Sequence, residues 1–273
     1  MGNVLVISDI HGRSFWKEPI DDIISGKINI DEIVFTGDYF DPYFYENISE
    51  YDAIINWFEL LQTVKSNLSQ MRYTFLLGNH DCSYLNDIFL KNASSSRMSY
   101  HNFETLKGIF EDNRNLFQLA HEIKIDVTPP KSADEKYKRV LFTHAGVNIN
   151  WYERNRKLLG YEVSAKSLNS LTESNEGWVA LSEIGYSRGG RYNTGSLLWA
   201  DVSDNFYKDE NGNIVPDYIP GIDYQIFGHT QQKENPIIND KFAMLDCRKA
   251  FVLTDKLEIN EYGEFKRMQE NKS

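Results

Sequence analysis

Five short motifs fall in a fixed order along the chain, and each offers oxygen or imidazole donors. They are Asp9-Ile10-His11, Gly37-Asp38-Tyr39-Phe40-Asp41, Gly78-Asn79-His80-Asp81, Thr143-His144-Ala145-Gly146 and Gly228-His229-Thr230. Hard or borderline divalent cations take carboxylate oxygen, amide oxygen and neutral imidazole. Residues two apart in a strand point to one face, so Asp9 and His11 are expected to act together on one cation. Asp38 can bridge two cations with its two oxygens. Asn79 adds an amide oxygen, and His144 and His229 add ring nitrogens. Glycines at 37, 78 and 228 let the backbone turn sharply or approach a ligand closely. Four of the six histidines lie in these motifs. That co-occurrence makes metal binding the reading to prefer over isolated turns, since each motif alone is weak.

Strands that end in the ligands must position them. Val4-Leu5-Val6-Ile7 is a continuous apolar run, as in a strand covered on both faces. Residues 33–36, 73–77, 140–143 and 224–227 repeat the pattern. Between them lie helical stretches. Ser49 caps one, with Asp52 in its first turn. Its apolar stripe is Ile54, Phe58, Leu61, Val64 and Leu68. A second helix is expected over 100–119, burying Phe103, Leu106, Phe110 and Phe117, and a third over roughly 163–184. Asn211-Gly212 marks a turn. Short runs at 242–246, 251–254 and 257–262 read as antiparallel strands. Strand–helix alternation argues an α/β fold with a largely parallel sheet. One domain over residues 1–273, with an inserted surface segment around 150–196, is the simplest organisation.

The bulk numbers exclude some classes. With 29 basic and 40 acidic side chains the net charge is −11, which disfavours long nucleic acid as a partner. A bound cation pair reverses the local field, so a nucleotide or phosphoprotein substrate stays open. Cys82 and Cys247 make no disulfide framework and read as reduced thiols. The first residues lack a basic region, and no stretch is long enough for a membrane span. The expectation is a cytoplasmic protein with no membrane partner.

The motif array resembles the calcineurin-like metallophosphoesterases, whose pattern is Asp-x-His, Gly-Asp-x-x-Asp, Gly-Asn-His-Asp/Glu, His and Gly-His. Thr143-His144-Ala145-Gly146 and Ser196-Leu197-Leu198-Trp199-Ala200-Asp201 are similar to the phosphoprotein phosphatase branch and its diadenosine tetraphosphatase relatives. Gln231 agrees, standing where nuclease-like members carry a second His. The resemblance implies two packed β-sheets flanked by helices, a four-layer sandwich with the site at the strand ends. It implies one cation on Asp9, His11 and Asp38, and another on Asp38, Asn79, His144 and His229. Either could be Mn, Fe, Zn, Ni or Co. It further implies that His80 is catalytic, with Asp41 orienting its ring. Physical reasons support that chemistry. Two cations about 3.5–4 Å apart can share a water and make hydroxide available near neutral pH. The metal-bridging hydroxide then attacks phosphorus in line. His80 gives the leaving oxygen a proton, and Asp41 favours the charged ring.

The chain departs from that pattern where phosphate is gripped. Pro42 stands where the branch carries Arg, and no arginine lies between Asp201 and His229. Arg13, Arg188 and Arg191 are the candidates to replace them. Tyr39, Phe40, Tyr43, Phe44 and Tyr45 follow a ligand directly, with local core packing slightly preferred over a substrate pocket. Trp199 is expected to pack beneath the site, and Asp201 to accept from an arginine or a ligand. The function expected is a dimetal phosphomonoesterase of the serine/threonine phosphatase type. A nucleotide hydrolase is the alternative, and a non-catalytic protein-binding scaffold the remote one. The substrate would be a phosphorylated small molecule, a nucleotide or a phosphoprotein.

Overall fold

A computed structural model describes residues 2–126 and 136–271. Its strands are β1 Val4–Ile7, β2 Glu32–Phe35, β3 Arg72–Leu76, β4 Phe117–Gln118, β5 His121–Asp126, β6 Tyr137–Phe142, β7 Phe206–Lys208, β8 Ile214–Pro216, β9 Tyr224–Phe227, β10 Ile237–Ile238, β11 Phe242–Met244, β12 Ala250–Leu253 and β13 Ile259–Glu261. Its α-helices are α1 Lys17–Ile24, α2 Glu50–Asn67, α3 Asn79–Leu85, α4 Asp87–Ala93, α5 Phe103–Asp112, α6 Ile149–Arg154, α7 Arg156–Leu159, α8 Ala165–Asn169, α9 Asn175–Leu181 and α10 Tyr262–Glu270.

Two sheets carry the fold. The first runs β13-β12-β1-β2-β3-β4, with β1 to β4 parallel and β12 and β13 antiparallel to their neighbours. The second runs β10-β11-β9-β6-β5, with β6, β9 and β11 parallel. Alternation along the strands divides their side chains between two apolar layers. Val4, Val6, Val34, Leu76, Phe251 and Leu253 of the first sheet meet Ile123, Val140, Phe142 and Ile226 of the second in one cluster. Leu5, Ile7, Ile33 and Phe35 face the other way and share a cluster with Trp16, Ile20, Trp57 and Leu60 of the helical layer. The fold is therefore two packed sheets flanked by helices, as expected.

Several expected elements differ. Phe58 lies on the exposed side of α2, and Ala53, Trp57, Leu60, Leu61 and Val64 form the buried stripe. The helix expected over 100–119 stops at Asp112, and Phe117 sits on β4 beside Phe75 of β3. The helix expected over 163–184 is broken into α8, a 3₁₀ turn Ser170–Glu173 and α9. The break falls at Ser174, which is extended and whose hydroxyl accepts from the Gly177 amide to cap α9, while Asn169 keeps helical backbone and its Oδ1 accepts from the amides of Leu119 and Ala120, bracing the β4–β5 connection. The stretch around 150–196 does not lie only on the surface, since Trp151, Tyr152, Leu168 and Leu181 join the main apolar cluster. The run at 242–246 pairs antiparallel to β10, as expected, and parallel to β9 on its other side. Cys82 and Cys247 are free and buried. No helix among the described residues is long and apolar enough to cross a membrane.

Candidate metal centre

The parallel strands β1, β2 and β3 end at one edge of the first sheet, and β6 and β9 end at one edge of the second. Every motif lies just past one of these ends. Asp9, His11, Asp38, Asp41 and His229 all adopt left-handed backbone, with φ of 39°, 44°, 55°, 57° and 68°. Such φ values are rare outside glycine and cluster at functional sites. Asp9 and His11 are thus aimed by a strained loop rather than by the strand pleat. Two glycines are fixed by close approach. A Cβ on Gly78 would lie 2.0 Å from Asp38 Oδ1, and one on Gly228 would lie 1.9 Å from Asp9 Oδ2.

Asp38 is the hub. Its Oδ1 accepts from the His80 amide at 3.0 Å. Its Oδ2 faces two imidazoles, 3.4 Å from His11 Nε2 and 3.5 Å from His144 Nε2. One oxygen, rather than two, is therefore positioned between the halves of the site. Ligand atoms of His11, Asp38 and His80 fall within 4.8 Å of one another, and so do those of Asp38, His144 and His229. Asp9 stands outside both groups, its carboxylate accepting from the His229 amide at 3.0 and 3.1 Å. Asp81 supports the assembly from below. Its carboxylate accepts from the amides of Gly78, Asp38 and Tyr39, tying the β2 and β3 ends together.

These donors fit divalent cations. His11 Nδ1 lies 2.7 Å from the Phe40 carbonyl and His144 Nδ1 lies 2.8 Å from that of Thr36, so both Nδ1 atoms carry the proton. Each Nε2 then presents a lone pair inward. Burial holds His144 down at about 3, so it does not charge near neutral pH. Its Nε2 nonetheless sits 3.0 Å from Asn79 Oδ1 and 3.0 Å from His229 Nδ1. The contact with Asn79 sets acceptor against acceptor, and the buried His229 Nε2 has no hydrogen-bond partner, an arrangement that is costly without a positive charge nearby. The carboxylates agree. Burial raises Asp9 and Asp38 well above the ordinary carboxylate range, with Asp246 and Asp81 adding repulsion.

His80 is held for a different task. Its Nδ1 lies 2.7 Å from Asp41 Oδ2, and Tyr84 donates to Asp41 Oδ1 at 2.6 Å. Burial lowers the ring's pKa while Asp41 opposes that shift. His80 Nε2 points to Ser95 Oγ at 2.9 Å.

Residues 2–233 match the family model of the calcineurin-like phosphoesterases. The chain belongs to this family. As a calcineurin-like phosphoesterase it is a metal-dependent hydrolase of phosphoric esters. It is similar to the cold-active protein-tyrosine phosphatase of a psychrophilic Shewanella species, at 16% identity over 96% of this chain and 80% of that one, with a TM-score of 0.46. It is similar to a serine/threonine phosphatase from Saccharomyces cerevisiae at 12% identity over 95% and 79%, with a TM-score of 0.45. No curated protein matches the chain.

Around the ligands of this phosphoesterase, the three arginines expected to hold phosphate are occupied otherwise. Arg13 is buried, with Nε and Nη2 on Glu46 at 2.8 and 3.0 Å and Nη1 on the Asp9 carbonyl at 2.9 Å. Arg188 pairs with Asp201 at 3.1 Å and donates to Thr230 at 2.8 Å. Arg191 is exposed beside the Tyr192 ring. Trp199 packs edge-on against His229. The aromatic run divides. Tyr39 and Phe40 are core residues against Trp57, as expected. Tyr43 instead stands edge-on to His11 at 5.1 Å, while Phe44 and Tyr45 are 89% and 64% exposed.

Three contributors escape the motifs. Arg97 reaches the ligand cluster from the α4–α5 connection. Tyr84 braces Asp41. Asp246 is buried beside Asp9, with its pKa raised to about 6 by burial. Asp246 carries a signal, because it closes an apolar run much as the motif residues follow theirs. Arg97 had none, lying in a Ser-rich turn between two helices.

Proposed function

We propose that this phosphoesterase is a two-cation phosphomonoesterase of the serine/threonine phosphatase type. The observation that carries it is Asp38 Oδ2, which lies between His11 Nε2 and His144 Nε2 with the remaining donors on either side. When bound, a pair of divalent cations would supply Lewis acidity and an activated water. Asp9, His11 and Asp38 would hold one cation, and Asp38, Asn79, His144 and His229 the other.

The chain's own groups do the rest. Asp41 keeps the proton of His80 on Nδ1 and orients Nε2 toward the cluster. Tyr84 keeps Asp41 from turning. A bound phosphoryl dianion favours protonation of His80 Nε2, which then gives that proton to the departing oxygen. The monoester preference is supported by charge. Arg97, which pairs with no carboxylate among the described residues, brings its guanidinium to His80 Nε2 and His11 Nε2, and such a planar fork suits a doubly charged group. A second reading, a nucleotide hydrolase, is favoured by the exposed rings of Phe44 and Tyr45 at the rim, which offer a stacking surface for a base.

Manganese-loaded protein should hydrolyse p-nitrophenyl phosphate faster than bis-p-nitrophenyl phosphate or diadenosine tetraphosphate. Asp38→Asn and His80→Ala should each lower kcat by about 10³-fold or more. Turnover undiminished in both variants would sink the mechanism, and a preference for the dinucleotide would turn the assignment to the second reading.

A further inference from the structure

Arg97 belongs to no motif, yet its guanidinium reaches the centre of the site. Its Nη2 lies 3.0 Å from His80 Nε2 and 3.4 Å from His11 Nε2. Its Nη1 donates to the Asp41 carbonyl. One face of the guanidinium lies over the Tyr43 ring, 3.6 Å from the centroid.

We propose that Arg97 is the residue that grips the substrate's phosphoryl group, taking the place of the arginine that Pro42 excludes. The inference rests on the phosphoesterase reading of the same site. Three observations lead to it. Firstly, its rivals are engaged elsewhere or face solvent: Arg13 and Arg248 pair with Glu46, Arg188 pairs with Asp201, and Arg191 is exposed beside the Tyr192 ring. Among the described residues Arg97 makes no ion pair with a carboxylate. A part-buried guanidinium without a counter-anion leaves N–H donors for one, and its planar fork matches two phosphoryl oxygens.

Secondly, Arg97 is held in place before any ligand arrives. Tyr43 supports it from one side and the Asp41 carbonyl from another. The connection that carries it is pinned at both ends. Ser95 Oγ lies 2.9 Å from His80 Nε2, and the Ser99 amide donates to Tyr84 Oη at 2.8 Å. Little freedom is left to lose on binding.

Thirdly, its present acceptors are temporary. Once His11 Nε2 serves as a ligand, the N–H aimed at it has no acceptor there and is free for a phosphoryl oxygen. A guanidinium beside a cation pair is itself repelled unless an anion lies between them. A phosphoryl dianion meets that requirement.

The test uses manganese-loaded protein with inorganic phosphate as the probe. Calorimetric titration should show phosphate binding to the wild type and binding weakened roughly 10- to 100-fold in Arg97→Ala. Manganese content, by elemental mass spectrometry, should be unchanged. KM for p-nitrophenyl phosphate should rise by a similar factor, and Arg97→Lys should recover part of the loss because it keeps the charge without the fork. Wild-type phosphate affinity in Arg97→Ala overturns the inference and leaves the enzyme assignment intact. Loss of manganese along with phosphate also overturns it, since Arg97 would then be shaping the ligands. A wild type that neither takes phosphate nor turns over ester brings down the enzyme assignment too.

Discussion

Asp38 gives one oxygen to the protein and the other to the site. The His80 amide fixes Oδ1, which leaves Oδ2 facing both histidines. Its surroundings also set a pH dependence. Burial raises Asp9 and Asp38 in the folded, metal-free chain above their unfolded values. Between those values the folded chain binds more protons than the unfolded one, so metal-free stability falls as pH rises through the window. Bound cations take over the role of those protons. The rise in Tm on adding manganese should therefore be larger at about pH 8 than at about pH 5.5. Scanning fluorimetry at the two pH values checks this, and equal shifts would contradict it. At this scale the sequence is readable where donor residues fall into short motifs with a glycine in or next to them, as at Asp9, Asp38, His144 and His229. Arg97 and Tyr84 are not readable so, because a side chain arriving from a connection or from further along a helix has no fixed sequence spacing to what it touches.

Helix ends were more legible than helix lengths. Ser49 caps α2 as its sequence predicts, accepting from the Asp52 amide at 3.0 Å while Asp52 returns a bond to the Ser49 amide at 3.1 Å. Ser49→Ala should cost about 1 kcal/mol. Urea unfolding would measure it, and a change near zero would mean that solvent replaces the cap. The breaks were not legible. Phe117 follows Phe110 at a helical interval, yet it serves a strand, because pairing with β3 outweighs local periodicity. Between α8 and α9 the competing element was a side chain. Ser174 turns extended and its hydroxyl accepts from the Gly177 amide, starting α9 afresh. Apolar periodicity records which residues are buried, and the long-range partner decides in what backbone.

Across the whole molecule, α10 is tied to α1 through one buried carboxylate. Burial alone would raise the Asp22 pKa, but hydrogen bonds from Lys266, Tyr262 and Lys27 outweigh it and hold the group below its ordinary range. A depressed carboxylate stabilises the fold above its unfolded pKa, and that gain is lost as pH falls through the folded value. Asp22→Asn should lower the urea midpoint at neutral pH, with the gap from wild type closing below about pH 4. A gap constant across that range would remove Asp22 from the acid limb. The strand runs made a largely parallel sheet and antiparallel tail strands legible, whereas the division into two sheets came only with the family resemblance, and which edges the tail strands join was not legible, since three short strands can join many edges. One pairing has a bearing on synthesis. β1 is made long before β12, yet lies beside it, with Val4 opposite Leu253 and Ile7 opposite Ala250. A nascent chain leaving the ribosome carries β1 with one flank bare until residues 250–253 emerge. A transcript cut short before Ala250 would thus yield an adhesive fragment prone to clumping, not a weaker enzyme.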